Sequence, residues 1–148
     1  MTSRWGPPTW IFFHTIASKI KPEKFDEYGR QLINYIVLLC NILPCPDCAN
    51  HAKQFWANVN IQNIKSKEDL MYILFVFHNK VNYRKKKHIF DQANIHKYNS
   101  LNLLLIHNIF TQHFNTHGNM ALLTDSFNRK RLLLAFNNWF VSNNNIFT

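Results

Sequence analysis

The residues with the most chemistry in this sequence are two thiols, Cys45 and Cys48, in the run Pro44-Cys45-Pro46-Asp47-Cys48-Ala49-Asn50-His51. Pro44 has no amide hydrogen and biases the residue before it away from helical geometry, so it ends one helix. Pro46 suits the first turn of the next helix, where a missing N–H costs nothing. Cys45 then falls near the N-cap and Cys48 at the third helical position. Residues three apart share a helix face, within reach of disulfide geometry. The free N–H groups and positive dipole end at a helix start favour a thiolate. Such a pair suits thiol–disulfide exchange. A Cys-x-x-Cys is also half of a zinc site, here with His51 and Cys40 as further ligands.

The elements that position this pair are helices. Pro7 and Pro8 introduce a first helix from Thr9 to about Lys19, with Trp10 and His14 on one face. Pro22 opens a longer one to about Leu43, whose stripe Ile33, Ile36, Val37, Cys40 faces the core. The third helix begins at the thiol pair, and a polar loop covers 58–65. Ser66 caps a fourth helix with Leu70, Ile73, Leu74, Phe77 and Val81 buried. His78 and Asn82 share another side of it. Asp91 caps a short fifth helix, and Leu101 to about Thr116 reads as a sixth. After a break at His117-Gly118-Asn119, Thr124 or Asp125 caps a last helix carrying Leu132, Leu133, Phe136, Trp139 and Phe140. The Asn-rich end is expected to fray. No segment alternates as a strand does, so the fold class is all-α.

A chain of 148 residues reads as one domain, and its 47% hydrophobic share is ordinary for a globular protein. No apolar run has the length of a membrane span, and the N-terminus lacks signal-peptide architecture. These features lead us to expect a protein made and kept inside a cell, away from membranes. Three cysteines cannot build a secreted disulfide framework. The net charge of +9 attracts nucleic acid, anionic cofactors, acidic proteins or lipids without choosing among them.

Three separated segments resemble one family, the Erv/ALR FAD-linked sulfhydryl oxidases. Trp5-Gly6-Pro7-Pro8-Thr9-Trp10 with His14 is similar to its first-helix signature. Cys45-Pro46-Asp47-Cys48 with His51 resembles its redox pair, and His78-Asn79-Lys80-Val81-Asn82 with Lys87 and Phe90-Asp91 resembles its fourth-helix motif. The resemblance implies a four-helix bundle with a short fifth helix and, here, additional C-terminal helices. It implies an oxidase core over 1–98 and a helical extension over 99–148 packed on the same domain.

It also implies bound FAD and the conversion of two thiols and oxygen to a disulfide and hydrogen peroxide. By the same resemblance Cys45 is the interchange cysteine and Cys48 the flavin-proximal sulfur. Arg4, Trp5, Gly6, Trp10, His14, His51, His78, Asn82 and Lys87 match positions around the cofactor. A homodimer and a cytoplasmic setting, as in the compact oxidases of large cytoplasmic DNA viruses, follow from the resemblance alone. Gln92 stands where the family often has another cysteine, and no cysteine follows Cys48. Substrate thiols must reach Cys45 directly, or a separate thiol protein must relay electrons.

The other chemistry-bearing residues have plainer readings. Cys40, on an apolar stripe, reads as an inert buried thiol. His88, His96, His107, His113 and His117 read as surface or core residues. Arg84 to His88, Lys87 apart, reads as a solvated face. The competing functions are a zinc module, with metal binding coupled to folding, and a basic nucleic-acid binder with steep salt dependence. Neither explains Trp10/His14 and His78/Asn82 together, and the expectation is no metal and no nucleic acid.

Overall fold

Proline and short polar side chains set most of the helix starts. A computed structural model describes residues 4–114 and 123–148. Helix α1 covers Gly6–Lys19. It starts earlier than expected because Pro7 and Pro8 lie within its first turn, where neither proline needs to donate. Thr9 N–H and Oγ1 both return to Trp5 O, at 3.1 and 2.6 Å.

Pro22 opens a 3₁₀ turn, Pro22–Lys24, and α2 follows as Phe25–Asn41. α3 is Pro46–Ala57 and α4 is Lys67–Arg84, the latter capped by Ser66 Oγ accepting from Asp69 N–H at 3.1 Å. Asp91 caps a 3₁₀ segment, Gln92–Ser100, in place of the expected short α-helix. Asn102 then starts α5, Leu103–Phe114, with Oδ1 accepting from Leu105 N–H. α6 is Leu123–Ser142. Thr124 and Asp125 therefore lie inside its first turn, and the expected break at 117–119 lies outside the described residues.

α1 is the axis of the molecule. Phe12, Phe13, Ile16 and Ala17 are buried, and so are Thr9, His14, Thr15 and Ser18 on its other faces. Such burial all round requires neighbours on every side: α4 and the Gln92–Ser100 segment on one flank, α5 on another. α2 packs on α3 and α6. Phenylalanine fills the space between α1, α5 and α6. Phe12 stacks on Phe110 at 4.5 Å and meets Phe136 edge-on at 5.8 Å. Inside this layer His107 and Asn137 Oδ1 share a 2.7 Å hydrogen bond.

The C-terminus does not fray. Lys21 N–H donates to Ile146 O and Thr148 N–H to Lys19 O, both at 2.8 Å, around an isolated bridge between Ile20 and Phe147. These backbone pairs dock the Asn-rich end against the α1–α2 junction, and Ile146 is buried beneath it. Among the described residues no helix is long and apolar enough to cross a membrane.

Candidate active site

The thiol pair sits where two helix ends and a tight turn meet. Cys45 is the N-cap of α3 in extended geometry, and its Sγ accepts the Cys48 N–H at 3.2 Å. Sulfur thus satisfies one of the orphan donors of the helix start. Cys45 N–H closes a short turn onto Leu43 O at 2.7 Å across Pro44. Behind the turn, buried Arg129 of α6 donates to Ile42 O at 3.3 Å and to Ser126 Oγ at 3.1 Å. The guanidinium sits at the carbonyl end of α2, where a cation is favoured.

Both thiols are free in this structure, Cys45 half-buried and Cys48 buried. The outer sulfur can meet a protein partner; the inner one opens on a cavity. Burial pushes the Cys48 thiol up, neighbouring Cys45 adds to the rise, and Lys85 and Arg84 pull it back. The helix start alone therefore does not decide its charge. Cys40 is fully buried, and burial pushes its thiol up to about 12.

The end of α4 reaches across to this pair. Lys86 adopts φ 57°, a left-handed conformation uncommon for a side chain other than glycine or asparagine. Around it Lys86 N–H bonds Tyr83 O at 3.1 Å and Lys87 N–H bonds Asn82 O at 2.8 Å, a Schellman turn. Arg84 pairs with Asp47 at 3.2 Å, and Lys85 Nζ stands 3.7 Å from Cys48 Sγ. The expected solvated face is thus corrected for Arg84 and Lys85: the last turn of α4 brings both to the first turn of α3. Asn82 Nδ2 holds His88 O at 3.1 Å, and Asn79 exchanges two hydrogen bonds with the Phe90 backbone at 2.7 and 2.9 Å.

A cavity of about 280 Å³ lies between α1, the end of α4 and the thiol pair. Trp5, Gly6, Trp10, Cys48, His78, Asn82 and Lys87 of the three motifs line it. Leu43, Phe77, Val81, Arg84, Lys85 and Tyr98 also line it. Sequence reasoning assigned none of these to the site. Phe77 read only as core, Val81 as core within the fourth-helix motif, and Tyr98 belongs to no motif.

His14 stands behind the wall, its Nε2 sharing a 2.9 Å hydrogen bond with His78 Nδ1. His51 lies outside the cavity, 3.7 Å from Asp47, in an adjoining groove with Phe55 and Tyr83. Cavity and groove share Phe77, Val81 and Arg84. Arg4 is exposed and lies outside both linings.

The wall is aromatic and uncharged. Trp10 and His78 stack at 4.1 Å with planes 6° apart, and Phe90 and Tyr98 pack on His14. Burial, reinforced by His78, lowers His14 to about 3; burial, reinforced by Lys87, lowers His78 to about 4. Both imidazoles are therefore neutral near neutral pH, one donating to the other. Among the described residues no group of three or more His, Cys, Asp or Glu side chains is placed to hold a metal ion.

Residues 7–100 match the model of the Erv1 / Alr family. A FAD-linked sulfhydryl oxidase of African swine fever virus (isolate Tick/Malawi/Lil 20-1/1983) is 30% identical over 103 residues, 68% of this chain and 86% of that protein. The Saccharomyces cerevisiae FAD-linked sulfhydryl oxidase ERV2 is 30% identical over 90 residues, 61% of this chain and 45% of that protein, so the chain spans under half its length. A probable FAD-linked sulfhydryl oxidase of fowlpox virus is 36% identical over 73 residues, 49% of this chain and 69% of that protein. No solved structure matches the chain. A family match over residues 7–100, most of the chain and including the thiol pair, shows that this chain belongs to the Erv1/Alr family.

Proposed function

We infer that this chain is a FAD-linked sulfhydryl oxidase, converting two thiols and oxygen to a disulfide and hydrogen peroxide. One observation carries the reading: a half-buried outer sulfur and a buried inner sulfur share one helix start, and the inner one opens on an aromatic, cation-rimmed cavity. The donor set fits FAD. Apolar walls from Trp10, Phe77 and Val81 suit a heteroaromatic ring, and Lys87 suits a diphosphate. Trp10 and His78 are stacked face to face and would offer an aromatic surface to such a ring. A long ligand can continue past Arg84 into the groove beside His51.

In this reading a substrate thiolate attacks Cys45 Sγ, the Cys45–Cys48 bond breaks, and its electron pair stays on Cys48. A second substrate thiolate then attacks its partner in the mixed disulfide and releases Cys45. Trp5, Gly6, Trp10, His78, Asn82 and Lys87 hold the cofactor, His14 fixes the His78 ring, and His51 and Arg4 act at its edge. When bound, FAD supplies the two-electron acceptor that restores the disulfide and reduces oxygen to peroxide.

Residues 1–98 form the oxidase core in this reading and 99–148 its extension, in keeping with a family match that ends at residue 100. The electron donor is a protein thiol or a relay thiol protein, and the setting is cytoplasmic. A homodimer rests on family resemblance alone, and a sedimentation mass of one chain would overturn it. The basic segment spends Arg84 and Lys85 at the thiol pair, which speaks against a nucleic-acid role for it.

Freshly purified protein is expected to show flavin absorbance and to consume oxygen with a dithiol. Cys45→Ala and Cys48→Ala should each lower turnover by roughly 10³-fold or more, since both sulfurs act as one unit. Colourless folded protein, or turnover that survives either substitution, sinks the reading.

A further inference from the structure

Within the run Arg84-Lys85-Lys86-Lys87, two neighbours meet different partners. Arg84 is engaged by the Asp47 carboxylate at 3.2 Å. Among the described residues no carboxylate pairs with Lys85; its Nζ faces Cys48 Sγ at 3.7 Å. Its backbone is pinned there, because Lys85 N–H bonds Val81 O at 3.0 Å as α4 closes. The left-handed Lys86 that follows turns the chain back and sends Lys87 to the cavity wall.

We propose that Lys85 is a catalytic cation of the exchange reaction, its ammonium holding the thiolate charge that Cys48 acquires when the disulfide opens. This rests on the reading above, in which Cys45 is attacked and Cys48 leaves. The step balances without an added reagent. The substrate sulfur forms a bond to Cys45 Sγ, the Cys45–Cys48 bond breaks, and the electron pair of that bond remains on Cys48, facing Nζ. Exchange quickens as the leaving thiol becomes more acidic. A buried sulfur is a poor leaving group unless a cation offsets the lost solvent.

Two cations face Cys48: Arg84, which also pairs with Asp47, and Lys85, which has no carboxylate partner among the described residues and carries the larger share. Cys45 on its own helix opposes the charge, and Cys40 on α2 is a neutral buried thiol. Asp47 is offset by Arg84, and His51 leans on the same carboxylate. Across the cavity His78 is neutral and Lys87 lies beside it.

The experiment measures iodoacetamide alkylation of Cys48 against pH in the full-length, flavin-loaded protein carrying Cys45→Ser, with the Cys48 peptide followed by mass spectrometry. Lys85→Met should raise the midpoint by about one pH unit, a tenfold loss of thiolate below it. Lys85→Arg should restore most of that shift. Coincident profiles for Lys85, Lys85→Met and Lys85→Arg overturn the proposal; Lys85→Gln replaces Lys85→Met if the latter misfolds. Failure of the parent reading is separate: it is seen as dithiol oxidation that persists in Cys48→Ala.

Discussion

Two clusters of stacked rings lie on either side of α1, and both are built around imidazole. Toward α4, Trp10, His14, His78, Phe90 and Tyr98 stack beside an open volume rimmed by Cys48, Asn82 and lysines. Toward α5 and α6, His107 stacks on Phe140 at 4.5 Å and bonds Asn137, among Phe12, Phe110 and Phe136 at 0% exposure. Residue type does not separate a binding wall from a core. What separates them is the company: cations, a thiol and a turn that aims them on one side, rings that close on one another on the other.

The largest effect that would break this comparison comes from the packed side. Phe136→Ala should cost about 3–5 kcal/mol by losing transfer energy and leaving a cavity. Urea unfolding measures it, and the flavin spectrum of the still-folded fraction should be unchanged. Flavin release well below the unfolding midpoint would show that the two clusters do not act separately.

Acid sharpens the contrast. His14 at about 3 and His78 at about 4 lie below the 6.5 of an exposed imidazole, so the unfolded chain takes up protons first as pH falls. Stability is then full above about pH 6.5 and declines below it, by at most about 1.4 kcal/mol per pH unit for each imidazole, until the folded-state values are reached. Burial lowers His107 as well, so His107→Gln removes the packed side's share. Unfolding free energies that stay level from pH 7 to 4.5 in that variant would contradict a buried neutral pair. The smallest effect is Lys86→Gly. Relief of about 1–2 kcal/mol of left-handed strain, less about 0.5–1 for glycine's added freedom, leaves a gain on the order of 1 kcal/mol or less. A lower melting temperature in that variant would mean that the Lys86 side chain itself supports the turn.

Much of this was legible in the sequence because it is encoded locally. Pro46 behind Cys45 and Ser66 before Lys67 mark helix starts wherever they occur, and the three motifs bring Trp10, His78 and Cys48 to one cavity. Lys85 was hidden because a run of cations reads as solvated. Its approach to Cys48 comes from how the last turn of α4 meets the first turn of α3, a tertiary contact that no local pattern marks. The docked terminus was hidden for a related reason: backbone pairing of Thr148 with Lys19 leaves no mark in side-chain pattern. Pro22 is a fair helix signal, but three residues of 3₁₀ turn come before α2 takes over.

Arg129 has a consequence for how such a protein would fail. Its guanidinium joins α6 to the carbonyl of Ile42, just ahead of Cys45, across 87 positions of chain. Cooperative units within a protein open at different free energies. On warming, detachment of the last helix would slacken the sulfur-bearing bend while the remaining helices still stood, so turnover would fade while circular dichroism had registered only a partial loss of helix.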